Sequence, residues 1–381
     1  MVRFGVRLAV SLLAVGLAAS PALAQLYWDG GVLNGGTVGP NADGGPGTWN
    51  NTLTNWDTLA AGGADSAWIP GGDAIISGAA GTITVDTVDV GSIFFANNGH
   101  TLSGGTITMT GAAPTIGVSF NDGATISSVI AGTNGLTTGG NGVLVLTGTN
   151  TFTGGLTVNS SLRLGGVNSA NGANNVVRVT AGNTLLVTTS TAFGGDTAAS
   201  RLVLESGSGL AISSSLTHDV TINSGGPAVI SGGTWNGVVV GSGPTTVAFS
   251  SITVTGNLFD NGGVLSIDTA THGGVVTFTG NLSHTGGLTV GNATVLSGIK
   301  SYSGDTIVAG HSSGTSQLTY TTANAISASS NVVIGDADTI GLVQFGYTPA
   351  AITLGIAAGS SASTAMAASY QESAPWMWRS P

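Results

Sequence analysis

The chain has 381 residues and a formal net charge of −10, and charged residues make up 6% of it. With 7 Lys and Arg against 17 Asp and Glu, it cannot neutralise a phosphate backbone, which excludes nucleic acid as a partner. The absence of cysteine excludes disulfides, thiolate metal sites and a cysteine nucleophile. Intrinsic disorder is excluded as well, because it requires low hydrophobicity and high charge, whereas 41% of the residues are hydrophobic.

The first 24 residues have the pattern of a secretory signal peptide. Arg3 and Arg7 precede an uncharged apolar run over residues 8–19, and Ala22-Leu23-Ala24 supplies small residues for cleavage. The alternative is a membrane anchor, but the apolar run is about half of the roughly 20 residues that span a bilayer. We therefore predict cleavage after Ala24, export of the remaining chain, and no transmembrane segment from Gln25 onwards.

Residues 25–75 are rich in tryptophan, and we predict that they form a cap over the first coil of a repeat fold. Two interpretations of the indole side chains are open. Large aromatic residues beside turns can cover an exposed strand edge, or they can serve as stacking platforms for sugars. The candidate carbohydrate-binding residues are Trp28, Trp49, Trp56 and Trp68.

Residues 76–355 alternate apolar side chains with Thr, Ser and Asn in short runs bounded by Gly, Asn, Asp or Ser. This is the pattern of short strands joined by turns, and no helical period is evident. Many short strands favour either a sandwich or barrel, or a solenoid. Internal repeats decide between these architectures.

A repeated segment favours the solenoid. Residues 146–158, Leu-Thr-Gly-Thr-Asn-Thr-Phe-Thr-Gly-Gly-Leu-Thr-Val, return as residues 278–290 and more weakly as residues 297–308. A single coil cannot bury its apolar face alone, so stacked coils share one core. We predict an all-β solenoid of parallel strands over 76–355, with repeats near 142–165, 276–297 and 297–312. Ladders of asparagine at coil corners are also expected, and the candidates are Asn141, Asn150, Asn281 and Asn292.

Residues 142–158 closely resemble the autotransporter-associated β-strand repeat, also called the passenger-associated transport repeat. The tryptophan-containing region that starts at Trp28-Asp29-Gly30-Gly31 is similar to the usual beginning of such proteins. The resemblance implies a right-handed parallel β-helix that Gram-negative bacteria export as a passenger, without known catalytic residues. We expect no translocator barrel in this chain, and an irregular Ala- and Ser-rich tail over 356–381.

Candidate catalytic or metal-binding residues are sparse. Asp86 with Asp89, and Asp336 with Asp338, are carboxylate pairs of the kind that a glycosidase uses, although a turn explains the second pair more simply. The five histidines lack the spacing of a zinc site. Fragments of a calcium motif, such as Gly62-Gly63-Ala64-Asp65, are never in tandem. We predict no enzymatic activity, no cofactor and no metal.

The sequence thus predicts an exported, non-catalytic solenoid with a structural, spacer or adhesive role, at the surface of a Gram-negative bacterium or outside the cell. The partners that fit are surface glycans or proteins of host or neighbouring cells. The first alternative is a carbohydrate-binding surface module on the same scaffold. The second is a β-helix polysaccharide lyase or hydrolase.

Overall fold

A computed structural model gives the fold of the chain. It describes residues 24–30, 42–60, 63–168, 176–193 and 201–216. Beyond these it describes the shorter segments 220–222, 228–235, 239–241, 247–250, 252–255, 258–259, 265–267, 275–284, 286–291, 293–308, 316–325, 331–334, 341–345, 354–356 and 368–370.

Strands follow one another along the whole described chain, and they are numbered here in order. The first ones are β1 (Gln25–Trp28), β2 (Gly47–Trp49), β3 (Trp56–Asp57), β4 (Asp65–Ser66), β5 (Asp73–Ile76), β6 (Thr82–Val85), β7 (Val88–Val90), β8 (Ile93–Phe95), β9 (His100–Gly104), β10 (Thr106–Met109), β11 (Thr115–Val118), β12 (Gly123–Ile126) and β13 (Val129–Gly132). The central ones are β14 (Leu136–Gly140), β15 (Val143–Leu146), β16 (Leu156–Val158), β17 (Ser161–Leu164), β18 (Val176–Val179), β19 (Thr184–Val187), β20 (Arg201–Leu204), β21 (Gly209–Ile212), β22 (Ser215–Leu216), β23 (Val220–Ile222), β24 (Ala228–Ser231), β25 (Thr234–Trp235), β26 (Val239–Gly241) and β27 (Val247–Ser250). The last ones are β28 (Thr253–Val254), β29 (Leu258–Phe259), β30 (Leu265–Ile267), β31 (Val276–Phe278), β32 (Leu282–His284), β33 (Leu288–Val290), β34 (Thr294–Leu296), β35 (Lys300–Tyr302), β36 (Thr306–Val308), β37 (Ser316–Tyr320), β38 (Val332–Ile334), β39 (Gly341–Phe345), β40 (Leu354–Ile356) and β41 (Ala368–Tyr370).

These strands form a parallel β-solenoid with three faces, so the predicted fold class is confirmed. One face is the long sheet, with 15 strands in the order β4-β3-β1-β5-β8-β11-β14-β16-β18-β20-β23-β26-β29-β32-β35. The second face is the ten-stranded sheet β2-β6-β9-β12-β15-β17-β19-β21-β24-β27, which the five-stranded sheet β30-β33-β36-β38-β40 continues through contacts of β27 with β30. The third face comprises the three-stranded sheet β7-β10-β13 and the eight-stranded sheet β22-β25-β28-β31-β34-β37-β39-β41.

Helical structure is nearly absent from the described residues. They contain no α-helix, and their one helical turn is the 3-10 helix Ala323–Ala325. Within that part of the chain, no helix has the length and apolarity needed to cross a membrane.

Alternation along each strand builds the core. In the long sheet, the side chains of Leu136, Leu156, Val177 and Leu202 lie in direct register on successive strands, and none is more than 3% exposed. Burying one such side chain contributes about 1.5–3 kcal/mol, and each coil adds another member to the column. The result is one continuous apolar interior, with aromatic as well as aliphatic side chains, along the described solenoid.

Glycine is required at some corners of the coils. Gly140 ends β14 with a φ of 80°, a conformation that L side chains rarely adopt. A Cβ atom at this position would lie 2.0 Å from the carbonyl oxygen of Val118 on the neighbouring coil. Close backbone contact and the left-handed conformation therefore both explain the glycine.

The three copies of the repeat do not all lie on the same face. In the first copy, Gly154-Gly155 leads into β16 of the long sheet, whereas in the second, Gly286-Gly287 leads into β33 of the five-stranded sheet. The third copy contributes β36, which pairs with β33 so that Leu288 lies opposite Thr306. The second and third copies therefore stack in register, and the first copy lies on a different face.

Asparagine side chains bridge a gap in the third face between β13 and β22. Asn150 accepts a hydrogen bond from the Ile130 N–H (2.9 Å) and donates to Asn168 (2.5 Å), which in turn donates to the Ala192 carbonyl (2.8 Å). Both asparagines are at most 3% exposed. The expected ladder is thus confirmed at Asn150, with a partner, Asn168, that the sequence analysis missed.

The other asparagine candidates lie in different settings. Asn281 is exposed and accepts a hydrogen bond from the Ile299 N–H on the next coil (3.0 Å). Asn141 is exposed, and Asn292 lies outside the described residues.

The first strands depart from the parallel pattern. β1 pairs in parallel with β5 on one edge, but antiparallel with β3 on the other, and β3 pairs antiparallel with β4. A cap over 25–75 stays a prediction, as do the other domain bounds. The leader over 1–24 lies outside the described residues apart from Ala24, and β41 falls within the segment predicted as a tail.

Candidate functional site

The four candidate tryptophans come together at the N-terminal end of the solenoid. Trp28, Trp56 and Trp49 are completely buried, and Trp68 is 2% exposed. Their rings meet edge to face or tilted, with centroids 4.6–5.1 Å apart. Such contacts contribute about 0.5–1.5 kcal/mol each beyond the area that they bury.

Hydrogen bonds tie this tryptophan cluster to the neighbouring backbone. The indole nitrogen of Trp28 donates to the Gly45 carbonyl and that of Trp68 to the Asp89 carbonyl, both at 2.9 Å. A sugar stacks only on a ring face that solvent can reach, and none of the four rings offers one here. The burial favours the packing interpretation, and the carbohydrate-platform interpretation stays an untested prediction.

Beside the tryptophans lies a group of converging carboxylates, here called the aspartate cluster: Asp29, Asp57 and Asp65. One carboxylate oxygen of each lies within 4.8 Å of the others. The antiparallel strands create this convergence, because β1 places Tyr27 opposite Asp57 and β4 places Asp65 opposite Asp57. Asp29 directly follows β1 and accepts a hydrogen bond from the backbone N–H of Asp43 (3.3 Å).

The aspartate cluster is electrostatically unfavourable. Burial raises the pKa of Asp29, and the negative charges of Asp43 and Asp65 raise it further, while the Asp43 N–H opposes the shift. The pKa of Asp57 is also raised, chiefly by burial and then by the charge of Asp29. Among the described residues, no ion pair joins a cation to these three carboxylates. The ion pair that the described residues do form is Arg178–Glu205, at 2.7 Å and away from the cluster in sequence.

Three carboxylates at this spacing offer the hard oxygen ligands that Ca²⁺ or Mg²⁺ prefers. Sequence reasoning considered Asp65 only within a fragment of a calcium motif and did not connect it to Asp29 or Asp57. No signal in the sequence reveals the cluster, because the three residues are brought together by an antiparallel return that interrupts the repeat pattern.

One comparison with known proteins finds a relative. The protein named "Adhesin BmaC autotransporter" from Brucella suis biovar 1 (strain 1330) is 36% identical to this chain over 272 residues. The match covers 70% of this chain and 7% of the relative, so the chain spans a small part of that protein's length. No protein-family model matches the chain, and no solved structure does.

Asp86 and Asp89, the described carboxylates considered for catalysis, form no ion pair with a cation within the described part of the chain. Asp86 and Asp89 are both exposed, the first at a turn and the second on the outer side of β7. Arg163 is exposed on β17, and Arg178 pairs with Glu205. Asp336 and Asp338 lie outside the described residues.

Two titratable side chains occupy inward positions that aliphatic residues fill elsewhere. His100 is 1% exposed, and neither ring nitrogen has a hydrogen-bond partner among the described residues. Burial lowers its pKa. Lys300 is 4% exposed and donates to the carbonyls of Gly280 (2.7 Å) and Ser297, and burial lowers its pKa to about 8.

The remaining surface of the described residues carries exposed apolar side chains on several elements. Phe94 on the long sheet is 39% exposed, Phe120 at the turn after β11 is 67% exposed, and Val143 on the ten-stranded sheet is 44% exposed. Sequence reasoning did not single these residues out. Their exposure depends on which side of each strand faces outward, which the coil register decides.

Proposed function

We propose that this chain is a surface-exposed segment of an autotransporter passenger and that its role is adhesive. The observation that carries the proposal is the 36% identity, over 70% of the chain, to a protein named as an autotransporter adhesin. The solenoid fold supports it, because a rod of stacked coils presents long regular faces to partners while its core needs no ligand.

The proposal includes export from a Gram-negative bacterium and a non-catalytic role. The apolar N-terminal run over 8–19 supports export, since it has the length of a signal-peptide core. Asp86 and Asp89 form no ion pair with a cation among the described residues, which supports the proposed absence of lyase chemistry. The partners proposed are glycans or proteins on the surfaces of other cells.

We further propose that 142–165, 276–297 and 297–312 are repeats of the autotransporter-associated type, and that 25–75 forms a cap. In-register stacking of the second and third copies supports the first point. Burial of the four tryptophans against an antiparallel strand edge supports the second, because parallel edges otherwise invite further pairing.

Attachment of protein-coated particles to cells tests the adhesive role. Beads that carry the full chain should bind cultured animal cells in greater number than beads carrying a β-solenoid of unrelated sequence and similar net charge. Heat-denatured chain on the same beads serves as the matched control for the fold. Equal binding of beads that carry the full chain, the unrelated solenoid and the heat-denatured chain would contradict the adhesive role. Release of reducing sugars or unsaturated products from polysaccharides would instead support the lyase or hydrolase alternative.

A further inference from the structure

The outer face of the long sheet carries an aromatic ring beside bare backbone. Phe94 on β8, Gly117 on β11 and Gly139 on β14 lie in direct register on three successive coils. Asn159 follows Val158, the partner of Thr138, and so extends the same column by one more coil. This column, here called the Phe94 shelf, spans three strand spacings, or about 14 Å.

The fold explains one of the two glycines in the shelf but not the other. A Cβ atom on Gly117 would lie 2.8 Å from Cδ2 of Phe94, so the ring covers this glycine and excludes a side chain there. A Cβ atom on Gly139 would meet only Cγ2 of Thr115, at an ordinary 3.4 Å, and Gly139 has no left-handed φ. Glycine inside a strand destabilises the strand relative to alanine, because its backbone loses more conformational freedom on folding. A strand glycine often marks a bulge, a tight bend, or a place where a ligand or another backbone approaches closely. The uninterrupted register of β14 with β11 shows no bulge at Gly139, which favours close approach of a ligand.

The groups around Gly139 are suited to an uncharged polyhydroxylated ligand. Phe94 is 39% exposed, so part of its ring is open to solvent on one side of the shelf. On the other side, Asn159 is exposed, its Oδ1 is held by the Thr180 hydroxyl (3.0 Å), and its amide nitrogen has no partner among the described residues. Next to the shelf runs a row of three half-buried threonines in register, Thr115, Thr137 and Thr157.

Charge narrows the choice of ligand. The outward positions of the shelf and its threonine row hold aromatic, glycine, hydroxyl and amide groups without a formal charge. The nearest cation along the row is Arg178, opposite Thr157, and Glu205 neutralises it at 2.7 Å. An anionic ligand would find no free cation here and would be repelled by a chain of net charge −10.

We propose that the Phe94 shelf binds an uncharged glycan, with one sugar ring stacked on Phe94 and the next lying over Gly139. The site gives a ligand class to the adhesive role proposed above and rests on it. It also differs from the tryptophan interpretation, because the aromatic ring used here is exposed. Hydrogen bonds from the glycan would go to Asn159 and to the threonine row.

The test is a glycan array probed with the full chain, followed by calorimetric titration of the best uncharged oligosaccharide. Phe94→Ala should weaken binding about tenfold or more, because stacking is lost. Gly139→Thr should abolish binding by filling the shelf, while it leaves the fold unchanged or more stable, since threonine favours strands. Val143→Ala removes an apolar side chain of similar exposure on the ten-stranded sheet, and it should bind as the wild type does.

Several outcomes would overturn this site. They are the absence of binding to every uncharged glycan, wild-type affinity in Gly139→Thr, and recognition of only anionic glycans or only peptides. The bead assay separates this failure from failure of the adhesive role. If wild-type beads and Gly139→Thr beads adhere to cells equally, the adhesive role is retained and the Phe94 shelf is rejected as its site.

Discussion

Polar side chains enter the interior of the solenoid in two regions, and the fold treats them differently. On the third face, Asn150 and Asn168 are fully buried, and each has a partner on the coil before and after it. On the ten-stranded sheet, His100 is equally buried, but neither of its ring nitrogens has a partner among the described residues. The asparagine side chains here add to a single backbone bridge between Asn150 and Asn168, whereas the imidazole interrupts an aliphatic column.

The comparison teaches that burial alone does not decide what a polar residue does to stability. The asparagine amides link successive coils between β13 and β22, where the backbone contributes few bonds such as that from the Asn150 N–H to the Val167 carbonyl (2.8 Å). His100 lies opposite Ala124 and adds no bond to the ladder through its side chain. Lys300 is intermediate, because its amine is buried but donates to two carbonyls.

Asn150→Leu should have the largest effect. The change removes the bonds to Ile130 and Asn168 and leaves a buried N–H group without an acceptor, which costs about 3 kcal/mol or more. Hydrogen exchange should show faster opening of the coils around β13 and β17 than in the wild type. Thr149→Val, at the exposed neighbouring position, is the control and should leave exchange unchanged. Unaltered protection in Asn150→Leu would mean that the ladder contributes no stability.

Lys300→Met should stabilise the protein by roughly 1–2 kcal/mol at pH 7. The lowered pKa corresponds to about 3.4 kcal/mol at about 1.36 kcal/mol per unit, and the two lost hydrogen bonds offset about 1 kcal/mol each. Burial lowers the pKa of Lys300 in the fold to about 8. Above the unfolded pKa of about 10.5 the amine is neutral in both states, so the stability that its neutral form contributes is fully present there. The contribution is lost as the pH falls towards 8. Urea unfolding should therefore show a rise in stability between pH 8 and 10 in the wild type that Lys300→Met lacks. Parallel curves for the two proteins would contradict this.

His100→Leu should raise stability by about 1–3 kcal/mol near pH 6, by removing an unsatisfied buried group. Since burial lowers the pKa of His100 in the fold, its neutral form contributes stability that is full above the unfolded pKa of about 6.5. That stability is lost as the pH falls below 6.5. Fluorescence of the buried tryptophan cluster reports opening of this end of the molecule. A wild-type acid transition that persists unchanged in His100→Leu would show that another group causes it.

Asp57→Asn should have the smallest effect, with the opposite pH dependence. Because the pKa of Asp57 is raised in the fold, its contribution to stability is full below the unfolded pKa of about 3.9. It is lost as the pH rises through the folded pKa. Asp57→Asn should therefore unfold at slightly higher urea than the wild type at pH 7, and the difference should shrink on acidification. Asp89→Asn, at an exposed position, is the matched control. Equal midpoints for Asp57→Asn and the wild type at pH 7 would show that the cluster is not strained.

Much of the fold follows from local pattern in the sequence. Alternation in runs such as 143–146 defines which side chains enter the core, and the recurring Gly-Gly-Leu-Thr-Val segments predict stacking. Asn150 could be placed in a ladder because it lies within a recognised repeat. Asn168 could not, because the segment around it has no detectable partner in the sequence.

The candidate sites depend on information that local pattern does not contain. Convergence of Asp29 with Asp57 needs an antiparallel return across 28 residues, and exposure of Phe94 needs the register between coils of unequal length. The tryptophans were found as a group from composition alone. Their burial, however, is a property of tertiary packing around β1 to β4.

The stacking of the second and third repeat copies has a consequence for how such a molecule can change in length. Leu288 and Thr306 are opposite each other and 18 residues apart, so one turn of the coil there corresponds to one copy of an 18-residue unit. Duplication of that unit by unequal recombination would insert one further coil, which lengthens the solenoid by about 4.8 Å without altering the coils on either side. The length of the solenoid in this region therefore depends on the number of copies of the unit. Evolution can change that number without altering the surfaces of the coils that precede it.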